Sequence, residues 1–239
     1  MFKLTVIGKY GPYPKEGGAT SSYLLTIGEK NILIDMGTGS LSNLQKIMEI
    51  KDIDLVLLSH LHSDHMADAL VMRYALMALG SDAVDIYLPE TPERENWLLL
   101  KAAQYNAETL NENTKFDMCG AVFSFMKTIH PVETYAVKVE YENKTFVYSA
   151  DTVYDENLIE FASGCDVFLC DSAFLENGRV ESAPHPSAFQ AANMAKEAKV
   201  DRLLLTHINP MVNEKEILKE AKDVFDTSIV VQEMVSYYI

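Results

Sequence analysis

The sequence predicts one domain of mixed α/β (α+β) class spanning residues 1–239. Three observations carry that expectation. Short apolar runs bounded by Gly, Pro, Asn or Asp alternate with amphipathic stretches along the whole chain, the pattern of strands interleaved with helices. The alternating runs 122–128, 134–141 and 144–149 follow one another with no helix between them, so part of the sheet structure is antiparallel. No repeat, low-complexity tract or linker divides the chain.

The elements follow in order. Leu4 to Gly8 reads as a strand, and 11–18 as a loop rich in Gly and Pro. Ser22 to Ile27 and Asn31 to Asp35 pair as a hairpin across 28–30. Leu41, Leu44, Ile47 and Met48 mark an amphipathic helix. The continuous apolar run 54–58 is a buried strand, and Asp64 to Leu79 is helical. A strand at 84–88 leads to Pro89–Glu95, which opens a helical stretch reaching about Leu110. Met66, Leu70, Met77 and Trp97 recur at helical spacing and are read as core, with a substrate hood or a dimer face as the second reading of 66–110. Beyond the three antiparallel strands come a helix at 155–162 and a strand at 166–170. Ser187 then caps a helix running to Ala198. Strand 202–206, helix Glu214–Phe225 and strand Ile229–Glu233 close the chain.

Composition narrows the function. A net charge of -15, from 20 basic and 35 acidic residues, opposes sequence-independent attraction to nucleic-acid phosphates, and no dense basic run offsets it. Stable nucleic-acid binding is therefore not expected. Cys119, Cys165 and Cys170 form no CxxC pair, so reduced thiols are expected. No apolar run approaches the ~20 residues of a membrane-spanning helix, and the first residues do not read as a signal peptide. A cytoplasmic protein without membrane association is the expectation.

The chemistry concentrates in Ser59-His60-Leu61-His62-Ser63-Asp64-His65, directly after the buried strand 54–58. Three imidazoles and a carboxylate in one turn are ligands for zinc, manganese or iron. The chain has only six histidines, and the others also close elements: His130 follows strand 122–128, His207 follows strand 202–206, and His185 sits between two prolines before a helix. Asp151 follows the run 145–149. Donors arriving from several strand ends make a rigid cage, so these residues are read as a two-metal hydrolytic site. Taken alone, Asp151 would equally cap a helix and His185 would be a turn residue; the ordered set favours chemistry. Asp35 is expected to support the His60 loop rather than to bind an ion. Ser59 and Thr206 either support the neighbouring histidines or face solvent.

The order HxHxDH, a lone His, a strand-ending Asp and a strand-ending His resembles the metallo-β-lactamase superfamily over essentially the whole chain. The resemblance implies a four-layer αββα sandwich, two mixed sheets face to face with helices outside. It implies that His60, His62 and His130 hold one ion, that Asp64, His65 and His207 hold the other, and that Asp151 bridges them. Two such ions, Zn²⁺ by expectation with Mn²⁺ or Fe as alternatives, would share a hydroxide that attacks the substrate, with Asp64 orienting it. The stretch from His185 to Val200 with Leu203-Leu-Leu-Thr-His207, and the opening Gly8 to Leu25, resemble the ribonuclease Z branch more closely. In that branch the histidine matching His185 protonates the leaving oxygen, and Asp171 sits where a carboxylate orients it.

The chain lacks the Gly-rich basic arm by which ribonuclease Z grips tRNA. A small phosphodiester substrate (cyclic nucleotide, nucleotide or short oligonucleotide) is therefore expected ahead of tRNA 3′ processing. An acyl hydrolase of lactonase, thioesterase or β-lactam type on the same metals is the first rival, and it makes His185 dispensable. A diiron redox protein is the second, although no flavin module accompanies the domain. The resemblance also leaves room for a homodimer.

Overall fold

The structure, a computed structural model, describes residues 1–239. The chain forms two seven-stranded mixed sheets packed face to face. In chain order the first half comprises β1 (Phe2–Gly8), β2 (Ser22–Ile27), β3 (Lys30–Ile34), α1 (Ser40–Leu44), β4 (Leu55–Leu57), α2 (Ser63–Leu79), β5 (Val84–Pro89), α3 (Glu93–Leu100) and β6 (Tyr105–Leu110). The second comprises β7 (Lys115–Met118), β8 (Ala121–Lys127), β9 (Tyr135–Tyr141), β10 (Lys144–Tyr148), α4 (Glu156–Phe161), β11 (Val167–Asp171), α5 (Ala188–Ala198), β12 (Arg202–Thr206), α6 (Glu214–Lys222), β13 (Ser228–Val230) and β14 (Ser236–Tyr238). The sheet orders are β14-β1-β2-β3-β4-β5-β6 and β13-β12-β11-β10-β9-β8-β7.

Three apolar cores make the layers. Between the sheets lie Leu4, Tyr23, Leu25, Ile34, Phe123, Val137, Phe146 and Leu169, all buried. Outside the first sheet, Leu44, Met66, Met72 and Leu99 pack helices α1, α2 and α3 onto Leu33, Val56 and Ile86. Outside the second, Leu158, Ala191, Met194, Ala195 and Ile217 bring α4, α5 and α6 onto Phe168 and Leu203. Strands buried on both faces must be apolar throughout, which is why β4 and β11 show no alternation while β8 does.

The parallel ladders decide where the site can be. Strands β3, β4, β5 and β6 run parallel, as do β10, β11, β12 and β13. Their carboxyl ends therefore gather at one edge of each sheet. At that edge Asp35, Ala150 and His207 have left-handed backbones, with φ of 57°, 53° and 54°. Such conformations cost of order 1–3 kcal/mol each and are tolerated where the surroundings fix them.

Several expected boundaries move. The stretch 89–110 is not one helix: α3 ends at Leu100 and β6 follows. β6 pairs only with β5 at the sheet's edge, so Asn106, Glu108 and Thr109 face solvent and the strand carries no apolar run to betray it. β7 and β14 are likewise short edge strands. Of the expected core residues, Met66 is buried, but Met77 is 61% and Trp97 59% exposed. α6 ends at Lys222, and β13 spans only Ser228–Val230. The three cysteines are unpaired, with Cys119 exposed and Cys165 and Cys170 buried. No helix is long and apolar enough to cross a membrane.

Candidate active site

The loop after β4 carries the first cluster. His62 has an extended backbone and stands just before α2, whose first turn holds Asp64, a carboxylate favoured at a helix N-terminus. His60 and His62 thus project from a strand-to-helix turn, and Asp64 and His65 from the first turn of the helix. His62 Nδ1 lies 3.1 Å from His60 Nε2 and 3.1 Å from His130 Nε2. Asp151 Oδ2 is 3.5 Å from His60 Nε2, 3.8 Å from His130 Nε2 and 3.4 Å from His207 Nε2, while its Oδ1 is 3.2 Å from His65 Nε2. On the other side His207 Nε2 approaches Asp64 Oδ2 at 3.3 Å.

Three groupings of donors converge here, each within 4.8 Å: His60, His62, His130 and Asp151 form one, Asp64, His65 and His207 a second, and Asp151, Asp171, His185 and His207 a third. The buried atoms His65 Nε2 and Asp151 Oδ1 have no hydrogen-bond partner. Unsatisfied buried donors of this type, all nitrogen or carboxylate oxygen, fit a divalent cation.

Charge follows the same division. Burial depresses the His60 and His62 rings, and the His130 ring is pushed down to about 4, so all three are neutral donors at neutral pH. Burial also opposes charge on His65, but the Asp151, Asp35 and Asp64 carboxylates outweigh it and hold that ring well above its usual range. Burial would raise Asp151, yet His207, His65 and His60 keep it well below the carboxylate range. Asp64 is lowered in the same way by His65 and His207. A cation entering here must displace the His65 proton, so binding releases protons.

His185 completes the constellation. Its Nδ1 pairs with Asp171 Oδ2 at 2.8 Å, and its ring stacks on His207 with centres 4.7 Å apart. Burial disfavours its charge, but Asp171 and then Asp151 raise it to about 9. Asp171 ends β11 and is buried, which raises its own carboxyl; Ser149 Oγ accepts a hydrogen bond from its backbone N–H at 2.9 Å. A cavity of about 330 Å³ is lined by His62, Asp64, His130, Asp151 and His185 and rimmed by Pro12, Pro131 and Pro184. A larger groove of about 730 Å³ beside α6 and β13 gathers no such donors.

Supporting residues lie beneath. Asp35 takes the Ser59 N–H at 2.7 Å, the Ser59 hydroxyl at 2.9 Å, His65 Nδ1 at 2.8 Å and the Tyr148 hydroxyl at 2.9 Å. It therefore supports His65 directly as well as the His60 loop. Ser59 and Thr206 are fully buried rather than solvent-facing. Ser59 Oγ is 3.1 Å from His60 Nδ1, and Thr206 bonds Tyr23. Sequence reasoning did not single out Tyr148, Tyr23 or Gly11. A Cβ on Gly11 would stand 2.1 Å from the His207 ring, so only glycine lets that loop pass. The Gly-Pro loop was visible in the sequence, but its contact with His207 was not.

The family model described as the Beta-lactamase superfamily domain matches residues 30–208. The "Probable metallo-hydrolase YhfI" of Bacillus subtilis is 32% identical over 95% of this chain and 95% of its own. The crystal structure of YhfI superposes with a TM-score of 0.94 over 99% of both chains at 31% identity. "Ribonuclease Z" of Clostridium acetobutylicum is 25% identical over 95% of each chain. The human short-form tRNase Z shares the fold, with a TM-score of 0.79, 17% identity and 99% coverage of both chains. The donor geometry and these matches agree: the chain belongs to the metallo-β-lactamase superfamily as a metallo-hydrolase related to ribonuclease Z.

Proposed function

We propose that this protein is a phosphodiesterase acting on small phosphodiesters with two divalent ions, most simply Zn²⁺. The observation that carries the reading is the His185–Asp171 pair at 2.8 Å, on the wall of the cavity where the donor sets meet. His60, His62 and His130 would hold one ion, Asp64, His65 and His207 the other, with Asp151 between them. Such ions lower the pKa of water and draw charge from the oxygens on phosphorus.

The chain's own residues do the rest. Asp64 stays ionised and accepts a proton from the attacking water as its oxygen bonds to phosphorus. Asp171 takes the Nδ1–H of His185 and fixes the ring, leaving Nε2–H for the substrate side. As the ester P–O bond breaks, the departing alkoxide takes that proton and leaves as an alcohol. An imidazolium suits this step because it is charged at neutral pH and can still give up its proton. A thioester's thiolate leaves without taking a proton, so a pair built to hold an acid supports phosphodiesters over thioesters.

Size and charge support a small substrate. The alignment with the Clostridium acetobutylicum ribonuclease Z runs over 293 positions against 239 residues here, so that relative carries segments this chain lacks. The net charge of -15 weakens any hold on a long polyanion. Residues 1–239 act in this reading as one domain, since the inter-sheet core draws on strands of both halves.

The test is steady-state hydrolysis of bis(p-nitrophenyl) phosphate by the zinc- or manganese-loaded protein, with His185→Ala alongside. Turnover should fall by ~100-fold or more in the variant while its metal content stays unchanged. A loaded protein that leaves the diester intact but cleaves a thioester or lactone would overturn the reading in favour of acyl transfer.

A further inference from the structure

Two tyrosines lie where the sheets meet beneath the site, and their hydroxyls both end on supports of the same donor set. Tyr148, from β10, donates to Asp35 Oδ2 at 2.9 Å, the oxygen that also takes His65 Nδ1 at 2.8 Å. Tyr23, from β2, packs its ring 5.0 Å from that of Tyr148. Its hydroxyl shares a hydrogen bond with Thr206 Oγ1 at 2.7 Å. Thr206 directly precedes His207, whose backbone is left-handed. Tyr23, Tyr148, Asp35 and Thr206 are each 0–1% exposed.

Phenylalanine would fill the same space without burying a hydroxyl, so the two hydroxyls call for a role beyond packing. Their ends give it. His65 and His207 belong to one donor set, with Asp64. The set of His60, His62 and His130 is reached one bond further on, through Ser59, whose hydroxyl donates to Asp35 Oδ2 at 2.9 Å and lies 3.1 Å from His60 Nδ1.

We propose that Tyr148 and Tyr23 are positioning residues that tune the ion site of Asp64, His65 and His207 more strongly than that of His60, His62 and His130. The inference rests on the two-ion reading above. Tyr148 holds the Asp35 carboxylate in place, and Asp35 fixes the His65 ring with Nδ1–H turned inward and Nε2 toward the cation. Tyr23 holds the last residue of β12, from which the chain turns left-handed to aim His207. The two rings in contact join a strand of each sheet, so the two ligands are set relative to each other.

Zinc titration of the metal-free proteins against a chromogenic chelator tests this without recourse to activity. Wild type should bind two ions. Tyr148→Phe should weaken one of them by about 10- to 100-fold, the usual effect of losing a group that orients a ligand. Tyr23→Phe should weaken the same ion by less. The assignment comes from two backgrounds: the Tyr148→Phe loss should persist in His130→Ala and largely vanish in His207→Ala. Should Tyr148→Phe fail to fold, Tyr23→Phe in the same backgrounds carries the test. Equal weakening of both ions, or no change in either, overturns the inference alone. A wild-type protein that binds a single ion overturns the two-ion reading and the inference with it.

Discussion

At the residue scale the site is a set of side chains whose charge states oppose one another. His130 is driven neutral by burial while His185, 5.5 Å away between ring centres, is held charged by Asp171. In the proposed role of general acid His185 works only while protonated, so turnover should fall as pH rises through its folded pKa. Asp171→Asn removes the carboxylate that holds that value up and leaves the burial that lowers it. The alkaline limb of kcat should therefore move to lower pH, and kcat at pH 8 should fall roughly 10- to 100-fold. A pH–rate profile checks this; an alkaline limb that stays in place means that His185 is not the acid. His60, His62, Asp64 and His65 were legible because they are adjacent in sequence, and His130, Asp151 and His207 because each closes an apolar run. Tyr148 was not legible, since a tyrosine in such a run reads as core until its hydroxyl is seen to meet Asp35.

At the scale of elements, the loop carrying His185 is set by the helix after it. Ser187 accepts the Gln190 N–H at 3.1 Å, and the Gln190 side chain takes the Ser187 N–H at 3.2 Å, a reciprocal cap at the start of α5. Ala188 and Phe174 also join by a backbone bond of 2.8 Å, tying the loop to the end of β11. Ser187→Ala should cost about 1 kcal/mol. In a chain of this length that lowers Tm by roughly 2–4 °C. Thermal denaturation reads the loss, and an unchanged Tm would show that the loop is held by other contacts. The cap was predictable because Ser followed three residues later by Gln is a local signal. β6 was not, because an edge strand half in solvent needs no apolar run, and Trp97 looked like core only because helical spacing cannot tell which face meets the sheet.

At the scale of the whole molecule, the site is a seam between halves. Asp35, Ser59 and His60 come from the first sheet, and Asp151, Asp171 and His207 from the second. Ions held as proposed would tie the sheets together, and only the folded chain offers all the donors. Chelation should therefore lower Tm and added zinc should restore it, by up to about 4 kcal/mol at a free ion concentration 1,000 times the Kd. Scanning calorimetry with and without chelator measures it; identical curves would mean that the ions do not bridge the halves. The sequence by itself determined the fold class, the family and the list of candidate ligands, because each is written in local order: period, strand ends and a contiguous motif. Only the tertiary structure decided which donors converge, that Asp35 serves His65 as well as Ser59, and that two tyrosines from facing sheets meet under the site. Those are contacts between residues as far apart as 143 positions. Their partners are chosen by how the sheets pack, which no local pattern encodes.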